Sequence, residues 1–150
     1  MRTQVLKSER DTERFAEKLA KAFAGGYSVG LRGDLGAGKT TLVRYLVEAL
    51  GGLSTQVASP SFALQYEYTV REDLRVEHWD IYRLKELPDE LIEPVDSRTL
   101  RLIEWPDRAP GLIDELDLLI EIVLLEDGTR EVRLFGGLSE EIGRSLGERF

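Results

Sequence analysis

The sequence has no cysteine and no asparagine, its single methionine is residue 1, and it has one histidine, His78. Without cysteine there are no disulfides, no zinc–thiolate sites and no cysteine nucleophile. One histidine cannot build a multi-histidine metal site. Lysine is also scarce: only five of the 20 basic residues are Lys (Lys7, Lys18, Lys21, Lys39, Lys85), the rest being Arg. Joint depletion of Asn, Cys and Met accompanies heat stability; a GC-rich coding bias toward Arg, Gly, Leu and Glu would leave the same trace. No apolar run approaches the ~20 residues of a membrane span, and the first residues lack the apolar segment of a signal peptide, so a cytoplasmic protein without membrane contact is expected. The formal charge of −8 argues against a chain that grips nucleic acid alone, because phosphate contacts need clustered Lys and Arg.

What is present fits one domain over residues 1–150, with 42 % hydrophobic and 32 % charged residues and enough length to bury a full core. Phe15, Leu19 and Phe23 recur at four-residue spacing, which predicts a helix over 11–23, capped by Ser8 or Asp11 and stopped at Gly25-Gly26. Residues 27–32 read as a short buried strand. A Gly-rich turn, Gly33 to Gly38, leads into a helix over 39–50 with Leu42, Val43, Leu46, Val47 and Leu50 facing inward. Alternation over 62–70 and a run over 74–81 predict a hairpin through Arg71-Glu72-Asp73. A short helix over 87–92, a strand over 100–104, a second hairpin over 116–135 and a closing helix over 139–146 with Ser139 as N-cap complete the pattern. Mixed helices and strands imply an α/β fold: a mixed, mainly parallel central sheet with antiparallel hairpins, flanked by helices.

Gly33-Asp34-Leu35-Gly36-Ala37-Gly38-Lys39-Thr40 matches G-x-x-x-x-G-K-[ST] at every fixed position. The glycines let successive amides close on an anion, and the helix that follows adds its dipole. Lys39 can reach the β- and γ-phosphates, and the Thr40 hydroxyl is a hard oxygen ligand suited to Mg²⁺. The loop lies between a predicted strand and a predicted helix, as a nucleoside triphosphate site requires. Such a site also needs an acid near the metal. Asp80 and Glu104 each end a predicted strand; each alone could be a solvated carboxylate, but two beside a phosphate loop favour a functional role. His78 shares the strand face of Asp80. It could orient Asp80, meet a partner or be a packed structural residue.

Several P-loop classes are excluded. Ras-like GTPases read guanine through an Asn-Lys-x-Asp motif, and this chain has no Asn. A Ser-Gly-Gly-Gln signature of ABC ATPases is absent, and RecA-like and AAA+ ATPases are usually longer. A small-molecule kinase remains an alternative, as does a nucleotide-dependent interaction module that never hydrolyses.

Four ordered blocks narrow the choice: the loop 33–41, Ser59-Pro60-Ser61-Phe62-Ala63-Leu64, His78-Trp79-Asp80-Ile81-Tyr82-Arg83-Leu84 and Glu104-Trp105-Pro106. Together the chain resembles the TsaE (YjeE) family, the P-loop ATPase of bacterial tRNA threonylcarbamoyladenosine (t6A) biosynthesis. The resemblance implies a slow, partner-stimulated, Mg²⁺-dependent ATPase acting with the TsaB–TsaD pair and reaching tRNA only through that complex. It implies catalytic roles for Lys39, Asp80, Glu104 and Ser61. Thr40 and Glu104 would hold the metal. Asp34, Leu35, Gly36, Ala37, Gly38, Lys39, Thr40 and Thr41 would cradle ATP, with Glu9, Thr12 and Arg130 near the nucleotide. In the family a Thr stands where Ser61 is; the hydroxyl is kept. The stretch 87–99 matches the family only loosely.

Overall fold

A computed structural model describes residues 2–23, 25–53, 55, 57 and 65–146. The predicted Ser59–Leu64 block, with Ser61, lies outside the described residues. Seven strands form one sheet in the order β1-β7-β6-β2-β5-β4-β3. They are β1 (Arg2–Leu6), β2 (Tyr27–Arg32), β3 (Gln65–Arg71), β4 (Leu74–Asp80), β5 (Thr99–Glu104), β6 (Leu118–Leu124) and β7 (Arg130–Phe135). The four central strands, β6, β2, β5 and β4, run parallel. Antiparallel β3 extends one side, and antiparallel β7 and β1 the other.

Helices α1 (Glu9–Ala22) and α2 (Lys39–Ala49) cover one face. Their apolar residues, Phe15, Leu19, Leu42, Val43, Leu46 and Val47 among them, pack on Val29, Leu31, Leu100, Leu102 and Ile120 in the larger core. Short helices α3 (Asp89–Ile92) and α4 (Pro110–Ile113), with a 3-10 turn at Pro106–Arg108, line the other face. There Trp79, Ile103, Leu112 and Leu119 form a second core. Glycine at position 33 is required at the end of β2: a Cβ there would lie 2.7 Å from the Ile122 carbonyl oxygen, so only glycine lets the chain turn this close to β6.

The structure changes four sequence expectations. Helix α1 starts at Glu9, with Ser8 as its cap: the Ser8 hydroxyl accepts the Asp11 amide at 3.2 Å. Ser139 is not a side-chain cap; it is the first residue of α5 (Ser139–Leu146), and its hydroxyl donates to the Gly136 carbonyl at 2.7 Å. The first hairpin carries a register shift between Thr69 and Arg71. Strand β1 was not foreseen. Five residues of mixed polarity carry little periodic signal, and β1 exists because β7 offers it an open edge.

Candidate functional site

Parallel strands bring their carboxyl ends to one edge of the sheet, and the crevice beyond that edge is where open α/β sheets bind ligands. Here β2 ends in the loop 33–38, β4 ends at Asp80 and β5 ends at Glu104. In the β4–β5 register Asp80 stands directly opposite Glu104. Both side chains therefore lie on the α2 face of the sheet, at the end where the loop leaves β2.

The loop itself has the conformation of an anion nest. Gly36 and Gly38 have φ of +79° and +114°, values that side-chain-bearing residues rarely adopt. Gly38 gives way to the first turn of α2, so the amides at the helix start face the loop. Lys39 is the first residue of that helix, and only 6 % of its surface is exposed. Its Nζ donates to the Gly33 carbonyl and sits 3.8 Å from the centre of the Trp105 ring, a cation–π distance. Burial pushes the ammonium below its ordinary pKa, while the carboxylates of Glu104, Asp80, Asp107 and Asp34 pull the other way.

Two contiguous clefts flank Gly38 and Thr41. The first, about 200 Å³, is lined by the loop residues Asp34, Leu35, Gly36, Lys39 and Thr40, together with Glu104, Trp105 and Arg130. The second, about 90 Å³, is lined by Leu6, Glu9, Thr12, Leu42, Ile122 and Arg130. Arg130 joins the two: its Nε donates to the Ala37 carbonyl at 2.7 Å, reaching from β7 to the loop. A Cβ at Gly38 would lie 3.1 Å from that Nε, so the glycine also makes room for the arginine. Every described residue singled out from sequence for nucleotide binding thus lies on the loop or borders these clefts. Ser61 falls outside the described residues.

Among the described residues no cluster of three His, Cys, Asp or Glu side chains could hold a metal alone. The larger cleft instead offers two hydroxyls, Thr40 and Thr41, and one buried carboxylate, Glu104. That sparse oxygen set suits Mg²⁺, which keeps water ligands and shares substrate phosphates rather than filling a protein cage.

His78 does not orient Asp80. It is fully buried, and its Nε2 lies 2.6 Å from Glu104 Oε2 while Nδ1 lies 3.0 Å from the Tyr68 hydroxyl. Asp80 instead accepts the Tyr82 amide at 2.9 Å. Three other residues were missed. Trp105 stood in a recognised block, yet only its neighbour Glu104 was given a role; it adopts left-handed φ of 63° as the chain leaves β5. Asp107 acts on Lys39 through space. Tyr45 donates to Glu9 Oε1 at 2.6 Å; its four-residue spacing from Thr41 on α2 was the available signal.

A family model of the threonylcarbamoyl adenosine biosynthesis protein TsaE matches residues 6–132. The chain belongs to the TsaE family. A TsaE relative from Aquifex aeolicus is 35 % identical over 132 residues, covering 87 % of this chain and 93 % of its own. One from Haemophilus influenzae is 33 % identical, covering 83 % and 84 %. The crystal structure of Bacillus subtilis YdiB superposes with a TM-score of 0.71 at 27 % identity, covering 98 % of this chain and 94 % of that one. Membership in TsaE places the phosphate loop in a family of t6A biosynthesis and makes ATP the expected nucleotide. Among the described residues no helix is long and apolar enough to cross a membrane.

Proposed function

We propose that this chain binds Mg–ATP at the loop and hydrolyses it slowly, as the nucleotide-driven subunit of the bacterial t6A assembly that contains TsaB and TsaD. The observation that carries this reading is the buried Lys39 in one cleft with the loop amides, Thr40 and Glu104. A lysine kept this dry beside anionic groups is poised to exchange the Gly33 carbonyl and the Trp105 face for phosphate oxygens. Thr40 and Glu104 would hold the metal, which would neutralise charge on the phosphates. Asp80, opposite Glu104 in the strand register, supports the metal or orients the attacking water. Ser61 senses the γ-phosphate. Glu9, Thr12, Thr41 and Arg130 border the smaller cleft and hold the rest of the nucleotide. Slow hydrolysis is expected because the sequence identifies no arginine finger, and loss of one costs ~10³–10⁵ in rate in other P-loop enzymes. With a charge of −8, the chain reaches tRNA through its protein partners.

The test is phosphate release from Mg–ATP by the purified chain, alone and with TsaB and TsaD. Slow turnover alone and faster turnover with the pair are expected. Lys39→Ala should weaken ATP binding by ~10²-fold or more, the cost of deleting a buried charge contact. Efficient phosphorylation of a metabolite without protein partners would overturn the reading in favour of a kinase.

A further inference from the structure

Beneath the phosphate loop runs a polar chain that nucleotide binding alone does not require. Tyr68 on β3, His78 on β4 and Glu104 on β5 run diagonally across three neighbouring strands, 3 %, 0 % and 3 % exposed. The Tyr68 hydroxyl meets Nδ1 at 3.0 Å, and Nε2 meets Glu104 Oε2 at 2.6 Å. For His78 to hold Glu104, Nε2 must carry the proton of the shorter contact and Nδ1 accept from the Tyr68 hydroxyl. Val76 and Leu102, on the same face of the same two strands, fill their places with aliphatic carbon. Packing alone would therefore be served by an apolar residue at position 78, without burying two ring nitrogens that must each find a partner.

What the chain does is restrict Glu104. That residue ends β5, and the backbone turns sharply at Trp105 directly after it, so strand pairing does not fix its side chain. A carboxylate has two oxygens. His78 engages one, and the group lines the cleft that Thr40 also lines. We propose that His78, backed by Tyr68, is a positioning residue that holds Glu104 in the orientation in which it meets the Mg²⁺ of bound Mg–ATP. The inference rests on the function proposed above. Outer partners of metal ligands commonly act in this way, and their loss costs ~10–100-fold in metal affinity.

His78 is the only histidine, so nitrogen NMR of the imidazole in the wild-type chain reads this ring alone. A proton on Nε2 is expected; an unprotonated Nε2 overturns the proposal. The second measurement is the Mg²⁺ concentration needed for tight binding of a fluorescent ATP analogue, with affinity in EDTA as the reference. His78→Leu should raise the Mg²⁺ requirement ~10–100-fold while leaving the EDTA affinity within about 2-fold. His78→Gln, whose amide nitrogen can reach the Nε2 position, should restore it to within about 3-fold of wild type. Tyr68→Phe, which removes only the hydroxyl and keeps the ring, should raise it about 3-fold. An unchanged requirement in His78→Leu, or an equal loss with and without metal, overturns the positioning role. Should His78→Leu fail to fold, an unchanged requirement in Tyr68→Phe does so instead. Wild-type binding that ignores Mg²⁺ overturns this inference and the proposed function together. Normal wild-type dependence with unchanged variants overturns the inference alone.

Discussion

Among the buried acids of strands β4 and β5, Glu77 and Glu104 stand three register positions apart and meet opposite surroundings. Glu77 points to the face covered by α3 and α4. Its Oε1 accepts from Arg101 Nε at 2.9 Å and from the Trp79 indole at 3.0 Å, and Arg101 goes on to the Glu93 carbonyl. Every partner there is another wall of the protein. Glu104 points to the other face, is just as buried, and has a histidine as its nearest partner and a cleft in front of it. A buried carboxylate is therefore no functional signal by itself. What separates the two is whether the charge is neutralised on the spot by a guanidinium or kept beside a cleft whose cation, Lys39, is itself poised for anions.

The sharpest way to break this contrast is to neutralise each acid's environment in turn. Glu104→Gln should lower ATP hydrolysis by more than the ~10–100-fold that the loss of an outer partner costs, with a smaller effect on nucleotide binding, measured by phosphate release and by titration. Normal hydrolysis in Glu104→Gln would make the two acids equivalent. On the opposite face, Arg101→Leu leaves Glu77 buried and unpaired. It should cost about 3–5 kcal/mol, a fall in Tm of roughly 6–20 °C, read by thermal unfolding. Hydrolysis per folded molecule should stay within about 2-fold of wild type. Replacing Glu77 by Leu as well should recover most of the loss, because an apolar pair of similar volume is often no less stable than a buried ion pair.

The contrast also marks what a sequence can disclose. Both acids sit in strands that periodicity predicts, and the loop 33–40 is legible because its chemistry is local: consecutive amides, a lysine and a hydroxyl on one turn of chain. Asp80 and Glu104 were legible as strand ends. The partner of His78 was not. Its face was correct, but the β4–β5 register, which sets Asp80 against Glu104 and brings His78 beside the same carboxylate, is decided by packing between residues distant in sequence. Strand β1 escaped for the same reason, since its stability lies in β7 rather than in its own five residues. Trp105 stood in plain view, but nothing local says that a lysine 66 positions earlier will lie on its ring.

A third acid gives the mildest test of the comparison. Glu9 is exposed at the rim of the smaller cleft and, like Glu104, has a tyrosine in its hydrogen-bond chain, here Tyr45 directly at 2.6 Å. The bond to the Glu9 carboxylate, with some burial, pushes the Tyr45 phenol up to about 12. The sign follows from proton binding. The folded protein keeps this proton where the unfolded chain, with an ordinary phenol near 10, has lost it. The contribution to stability is therefore complete below about pH 10 and disappears as pH rises toward 12. Subtracting the near-ultraviolet titration of Tyr45→Phe from that of wild type should leave one phenol ionising about two pH units late. Thermal unfolding over the same range should show wild type losing its advantage over the variant. At neutral pH, ATP affinity should fall only about 3-fold in Tyr45→Phe, because one hydrogen bond at an accessible rim contributes ~1 kcal/mol or less. A much larger fall would mean that Glu9 needs its tyrosine as Glu104 is proposed to need His78, and the exposed acid would then belong with the functional one rather than between the two.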